Sequence, residues 1–103
     1  MQKILEQRIE EVKKLCQKLK IIRLYAFGSV VSTENFTENS DIDFLISFDD
    51  KVSPEEYSEN YFQLQYKLRE LFNREIDVIT ERSLSNPFFI ESVNQTKVLL
   101  YEA

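Results

Sequence analysis

The chain has 103 residues, 43% of them hydrophobic and 30% charged, with a formal net charge of −5 and no histidine. That length allows one domain, 1–103, with one core; the negative charge argues against passive docking on nucleic-acid phosphates, and the missing histidine removes Ser-His and Cys-His triads and His-ligated zinc. No apolar run approaches the roughly 18 residues of a membrane span, the stretch MQKILEQRIEEVKKL is charged throughout, unlike a secretory signal, and the expected setting is the cytoplasm.

Residues 2–19 carry Leu5, Ile9, Val12, Cys16 and Leu19 at alternating four- and three-residue steps, with Ile4 and Leu15 beside them. This spacing predicts an amphipathic helix and makes Cys16 a core residue. Residues 21–27 are β-branched and aromatic, a strand that ends at Gly28, the only glycine in the chain. A second strand runs over 41–48, and a polar turn follows at 49–51. Ser53-Pro54-Glu55-Glu56 reads as a helix start, with Ser53 as cap, Pro54 in the first turn and Glu56 completing a capping box. Tyr57, Tyr61, Leu64, Leu68 and Leu71 mark one face of that helix, which ends near Asn73. A third strand covers 75–80, Asn86-Pro87 opens a short helix, and an apolar run at 98–101 closes the chain as a short strand. The order predicts an α/β (α+β) fold, a small mixed β-sheet with helices packed on one face.

The second strand carries the chemistry. Its side chains alternate, so Ile42, Phe44, Ile46 and Phe48 form an apolar face toward the helices, while Asp41, Asp43, Leu45 and Ser47 share the other. Asp41 and Asp43 therefore point the same way, with α-carbons roughly 6.6 Å apart. Two carboxylates held side by side repel and call for a counter-charge. Oxygen ligands without histidine or thiolate favour Mg²⁺ or Mn²⁺. In the third strand Asp77 falls opposite Ile76 and Val78. If that strand lies beside the second with apolar faces aligned, Asp77 joins Asp41 and Asp43. Such a trio suits one or two metals, and paired ions about 3.5–4 Å apart clamp the attacking and leaving oxygens of phosphoryl transfer. Gly28 admits positive φ and close approach of a ligand. A helical turn after Ser29 would offer free amides to a phosphate, with the Ser29 hydroxyl beside them.

Each of these features alone is an ordinary turn or strand end. Together, Gly28-Ser29, then Ser40-Asp41-Ile42-Asp43, then Asp77 in REIDVIT, the chain resembles the nucleotidyltransferase (polymerase β-like) superfamily, and in its length its minimal branch, the MNT-domain proteins. The resemblance covers nearly the whole chain and implies the nucleotidyltransferase fold. It implies that Gly28, Ser29 and Ser40 bind the nucleotide, and that Asp41 and Asp43 hold Mg²⁺. Asp77 would be a further ligand or the base for the acceptor hydroxyl. The reaction implied is transfer of a nucleoside monophosphate, AMP from ATP or its counterpart from another NTP, with release of pyrophosphate. It further implies a protein partner, a HEPN-domain toxin that the MNT protein restrains as antitoxin, by adenylylating a tyrosine.

The remaining sequence bears on that expectation in two ways. No residues are left over for an acceptor-binding domain, so the acceptor is expected to bring its own surface. The aromatic residues of the 57–72 helix (Tyr57, Tyr61, Phe62, Tyr66, Phe72) exceed one core stripe and suit an interface. The loop VVSTENFTENS departs from the family pattern. Val30 and Val31 stand where a basic residue is expected, Thr33 or Glu34 replaces a second glycine, and the spacing to Asp41 is one residue longer. A triphosphate would lose a charge partner there, and Lys51, Lys67, Arg69 or Arg74 would have to compensate. The alternatives are a catalytically weak or inactive antitoxin that acts mainly by contact and an unrelated α/β domain with structural aspartates.

Overall fold

A computed structural model describes residues 1–32 and 35–103; the expected replacement of the second glycine at Thr33 or Glu34 lies outside the described residues. The chain runs α1 (Lys3–Glu6), α2 (Ile9–Lys18), β1 (Ile21–Phe27), a 3-10 turn (Gly28–Val30), β2 (Ile42–Phe48), α3 (Pro54–Phe72), β3 (Ile76–Thr80), a second 3-10 turn (Glu81–Ser83), α4 (Pro87–Thr96) and β4 (Val98–Glu102). Every expected element is present. The helix expected over 2–19 is in two pieces. Gln2 ties the start of α1 to the turn after β1: its amide donates to the Val30 carbonyl at 3.0 Å and its Nε2 to the Ser32 carbonyl at 2.6 Å. This sideways tie fixes the first turn, and Arg8, at φ −114°, leaves helical geometry before α2 begins. Both pieces still bury their share of the stripe, Leu5 in α1 and Val12 and Cys16 in α2.

The α3 helix starts with the expected cap and proline, while Glu56, expected to complete a capping box, turns to Lys20 instead. Ser53 Oγ accepts from the Glu56 amide at 3.2 Å and Pro54 takes the first position. The Glu56 carboxylate accepts from Lys20 Nζ at 2.9 and 3.0 Å, so it joins α3 to the turn between α2 and β1. Asn73 ends the helix in the left-handed region, φ 52°, where asparagine is tolerated.

The four strands form one mixed sheet in the order β3-β2-β1-β4. β1 is antiparallel to β2 and β4, and β2 is parallel to β3 across the α3 connection. Ile42, Phe44 and Ile46 are fully buried, with Leu24 and Ala26 of β1, against α1, α2 and α3. Phe44 packs on Phe72 at a ring separation of 6.2 Å. Cys16 lies in this core with its thiol pushed up to about 12 by burial, as the helix stripe predicts. Three helices thus sit on the expected face. The fourth, α4, is seated on the other, where Val93 packs with Phe27 and Leu45 in a smaller cluster. Among the described residues no helix is long and apolar enough to cross a membrane.

The two sheet edges differ. On β3, α3 closes the outer side: the Tyr61 hydroxyl donates to the Val78 carbonyl at 2.6 Å and Gln65 Nε2 to the Ile76 carbonyl at 3.2 Å. On β4, Val98 and Leu99 stay exposed.

Candidate active site

The alternation of β2 puts Asp43 on the face opposite Ile42 and Phe44, and the parallel register places it directly beside Asp77. Neighbouring strands lie about 4.8 Å apart, so these two carboxyl groups meet. Asp43 feels that neighbour. Its pKa rises from 3.8 to about 6, through burial first, then the charge of Asp77, then that of Asp41, with a hydrogen bond that the protonated Asp43 donates to Asp77 adding to the effect. Asp43 is half-buried while Asp41 and Asp77 are exposed. Asp41 sits one residue before β2, whose start is pinned to that of β3 by the Ile42 amide donating to the Glu75 carbonyl at 3.1 Å. The structure therefore brings the three aspartates to one end of one sheet face.

Gly28 comes against the same group. It has φ 76°, and a β-carbon built on it would stand 2.7 Å from Asp43 Oδ2. Only glycine adopts that backbone freely and leaves the carboxylate its room. Gly28 opens the 3-10 turn, and Ser29 is its second residue. The turn is closed by the Val31 amide on the Gly28 carbonyl and the Ser32 amide on the Ser29 carbonyl, both 3.1 Å. The Gly28 amide itself is taken, donating to Thr96 Oγ1 at 3.0 Å. Ser40 is also occupied: its hydroxyl accepts from the Thr37 amide at 2.9 Å and lies 3.2 Å from Thr37 Oγ1.

Of the four cations that sequence named as substitutes for the missing basic residue, Arg74 reaches the loop before Asp41. Its Nη1 donates to the Ser40 carbonyl at 2.9 Å and the Thr37 carbonyl at 3.2 Å, and its guanidinium lies 4.5 Å from the centre of the Phe36 ring. It fastens the loop that leads into Asp41. Arg69 pairs with Glu75 at 3.3 Å and Lys67 with Glu70 at 3.8 Å. Lys51 is at the far end of the sheet, in a cavity of about 820 Å³ shared with Arg23, Ser47, Tyr57 and Arg82. That cavity begins at Ile46, roughly 10 Å along β2 from Asp43, and none of Asp41, Asp43 and Asp77 lines it.

The donor set is hard oxygen, the chemistry of Mg²⁺ or Mn²⁺, and part of the rise in the Asp43 carboxyl, after burial, comes from neighbouring charges that a divalent cation would offset. Among the described residues no three His, Cys, Asp or Glu side chains close into a ready metal cage. An open platform of one or two carboxylates is how Mg²⁺ is commonly held when substrate phosphates complete its shell, and Asp41, Asp43 and Asp77 fit that form. Sequence reasoning missed Thr96 and the work of Arg74. A threonine in a last helical turn carries no signal of its own, and Arg74 is marked only by the carbonyls it reaches through the fold.

Comparison with known proteins identifies the family. Residues 9–100 match the family described as nucleotidyltransferase domain. A protein of Methanocaldococcus jannaschii named "putative protein adenylyltransferase" is 35% identical over 81 residues, 79% of this chain and 78% of its own length. Among solved structures, a "putative minimal nucleotidyltransferase" superposes with a TM-score of 0.74 at 30% identity, covering 91% of this chain and 90% of the other. An MNT antitoxin in complex with a tri-AMPylated HEPN toxin of Shewanella oneidensis shares the fold, with a TM-score of 0.66 at 20% identity over 95% of this chain and 72% of that one. The chain therefore belongs to the nucleotidyltransferase domain family and is a nucleotidyltransferase.

Proposed function

We propose that this protein transfers a nucleoside monophosphate, AMP from ATP in the first instance, to a hydroxyl group of a protein partner, and that the partner is a HEPN-domain toxin restrained by the modification. The observation that carries the reading is the meeting of Asp43 and Asp77 in register beside a glycine whose backbone rests on the Asp43 carboxylate. In this reading Asp41 and Asp43 hold Mg²⁺, with Mn²⁺ able to replace it, and Asp77 completes the set or receives the proton of the acceptor hydroxyl. The cation would supply charge neutralisation at the triphosphate and at the leaving pyrophosphate. The Ser29 hydroxyl and the turn it stands in face the phosphates. The acceptor oxygen forms a new bond to the α-phosphorus as the bond to the pyrophosphate oxygen breaks. The tri-AMPylated toxin bound to an MNT antitoxin of the same fold supports the acceptor class, as does the name of the 35% identical relative.

The test is label transfer from α-labelled ATP with Mg²⁺ in host lysate, beside the Asp41→Asn/Asp43→Asn double variant. A labelled protein band made by the wild type alone is the expected result. Its absence with all four NTPs and with Mn²⁺ would overturn the reading. A second reading, neutralisation by contact without catalysis, is favoured by one specific feature. The 30–40 loop carries no lysine or arginine, and Arg74, which reaches it, is committed to its carbonyls. Under that reading Asp43→Asn leaves neutralisation of the partner intact.

A further inference from the structure

The turn that carries Gly28 and Ser29 is held from two directions. Its far side is tied to the start of the chain, through the Gln2 amide on the Val30 carbonyl and Gln2 Nε2 on the Ser32 carbonyl. Its near side, the amide of Gly28 itself, donates to Thr96 Oγ1 at 3.0 Å. The same hydroxyl faces the Val93 carbonyl at 3.5 Å, so its proton is directed into the helix and its lone pair toward Gly28. Thr96 is the last residue of α4, a helix of ten residues in which Val93 alone is fully buried. It reaches across from the opposite end of the sequence to the residue whose backbone rests against Asp43.

We propose that Thr96 is a positioning residue for nucleotide binding: its hydroxyl fixes the Gly28 amide, and through it sets the turn that receives the phosphates and the room left to the Asp43 carboxylate. The inference rests on the nucleotidyl transfer proposed above. It is not a direct contact with substrate. The Gly28 amide spends its single proton on Thr96, so the phosphate donors left in the turn are the Ser29 amide and hydroxyl, and Thr96 decides where they stand. A hydroxyl is required because the same atom must accept from Gly28 and donate to Val93. Serine retains both; valine, of the same shape, retains neither.

The chain has one glycine, so labelling with ¹⁵N-glycine gives one amide resonance, that of Gly28, in the full-length protein. In the wild type this amide should be protected from exchange. Thr96→Val should speed its exchange about tenfold, as loss of one hydrogen bond implies, and Thr96→Ser should restore protection. The nucleotide KM should rise about fivefold in Thr96→Val with kcat changed less than twofold, and Thr96→Ser should recover it. Thr96→Ala replaces valine if the latter fails to fold by circular dichroism. Unchanged exchange in Thr96→Val, or faster exchange with an unchanged KM, overturns the proposal. A fall in kcat alone at constant KM also overturns it, since that marks a smaller folded fraction. If the wild type transfers nothing, nucleotidyl transfer fails as the function, and the dissociation constant of a non-hydrolysable ATP analogue replaces KM. A nucleotide affinity that does not follow the exchange rate then sinks the role of Thr96.

Discussion

Asp43 is central to the proposed site, and its chemistry sets a pH test. Its folded pKa of about 6 lies above the ordinary 3.8 because burial and two neighbouring carboxylates oppose its charge. The folded state therefore binds this proton more tightly than the unfolded chain does. The associated stability is complete below about pH 4 and is lost as pH rises through 6. Asp43→Asn carries no such charge. In metal-free buffer it should melt higher than the wild type at pH 7.5, and the difference should close on approach to pH 4; a wild type that melts higher than the variant at pH 7.5 would contradict the crowded geometry. Gly28→Ala tests the same spot from the backbone side. The far end of the Asp43 side chain can swing from the added methyl, but φ 76° cannot be relieved, so a loss of about 1–2 kcal/mol is expected in denaturant unfolding. The displaced carboxylate should weaken Mg²⁺ binding as well. At this scale the aspartates were legible in the sequence because alternation alone assigns Asp41 and Asp43 to the face opposite Ile42, Phe44 and Ile46. The pairing of Asp77 with Asp43 followed from aligning two apolar faces. Thr96 was not legible, since its partner Gly28 is 68 residues away and no local pattern links them.

Among the elements, strands and caps were easier to read than the placing of helices. β1 matches its expected span, and β2 and β3 each begin one residue later than expected, at Ile42 and Ile76. The break between α1 and α2, at Arg8, escaped the periodicity because it leaves the apolar spacing intact. The seat of α4 was hidden for a related reason. One buried valine gives a helix a side but does not say which face of the sheet that side will meet. α3 shows how much a helix can do beyond filling a core. Tyr61 is half-buried, bonded to the Val78 carbonyl, and its hydroxyl pKa is raised, by burial first. Tyr61→Phe should cost about 1 kcal/mol in urea unfolding, and an unchanged midpoint would show that water replaces the bond at no loss.

For the whole molecule, a bound cation is a stability term. At ten times its dissociation constant, Mg²⁺ should add about 1.4 kcal/mol, a rise of several degrees in Tm for a domain of this size. EDTA should reverse it, and the Asp41→Asn/Asp43→Asn variant should show none; an equal rise in that variant would move the metal elsewhere. The acidic surface and the exposed Phe62 and Tyr66 of α3, 66% and 60% accessible, leave the protein with apolar area that its own core does not use. The sheet itself adds a rule of assembly. Tyr61 and Gln65 occupy the outward carbonyls of β3, while β4 keeps its outer side without such a cover among the described residues. A body with one sticky margin is a chain terminator. Two copies joined margin to margin exhaust each other's valence, as a two-fold pair does. The same sheet with both margins bare would be bivalent, and bivalent units grow into fibres.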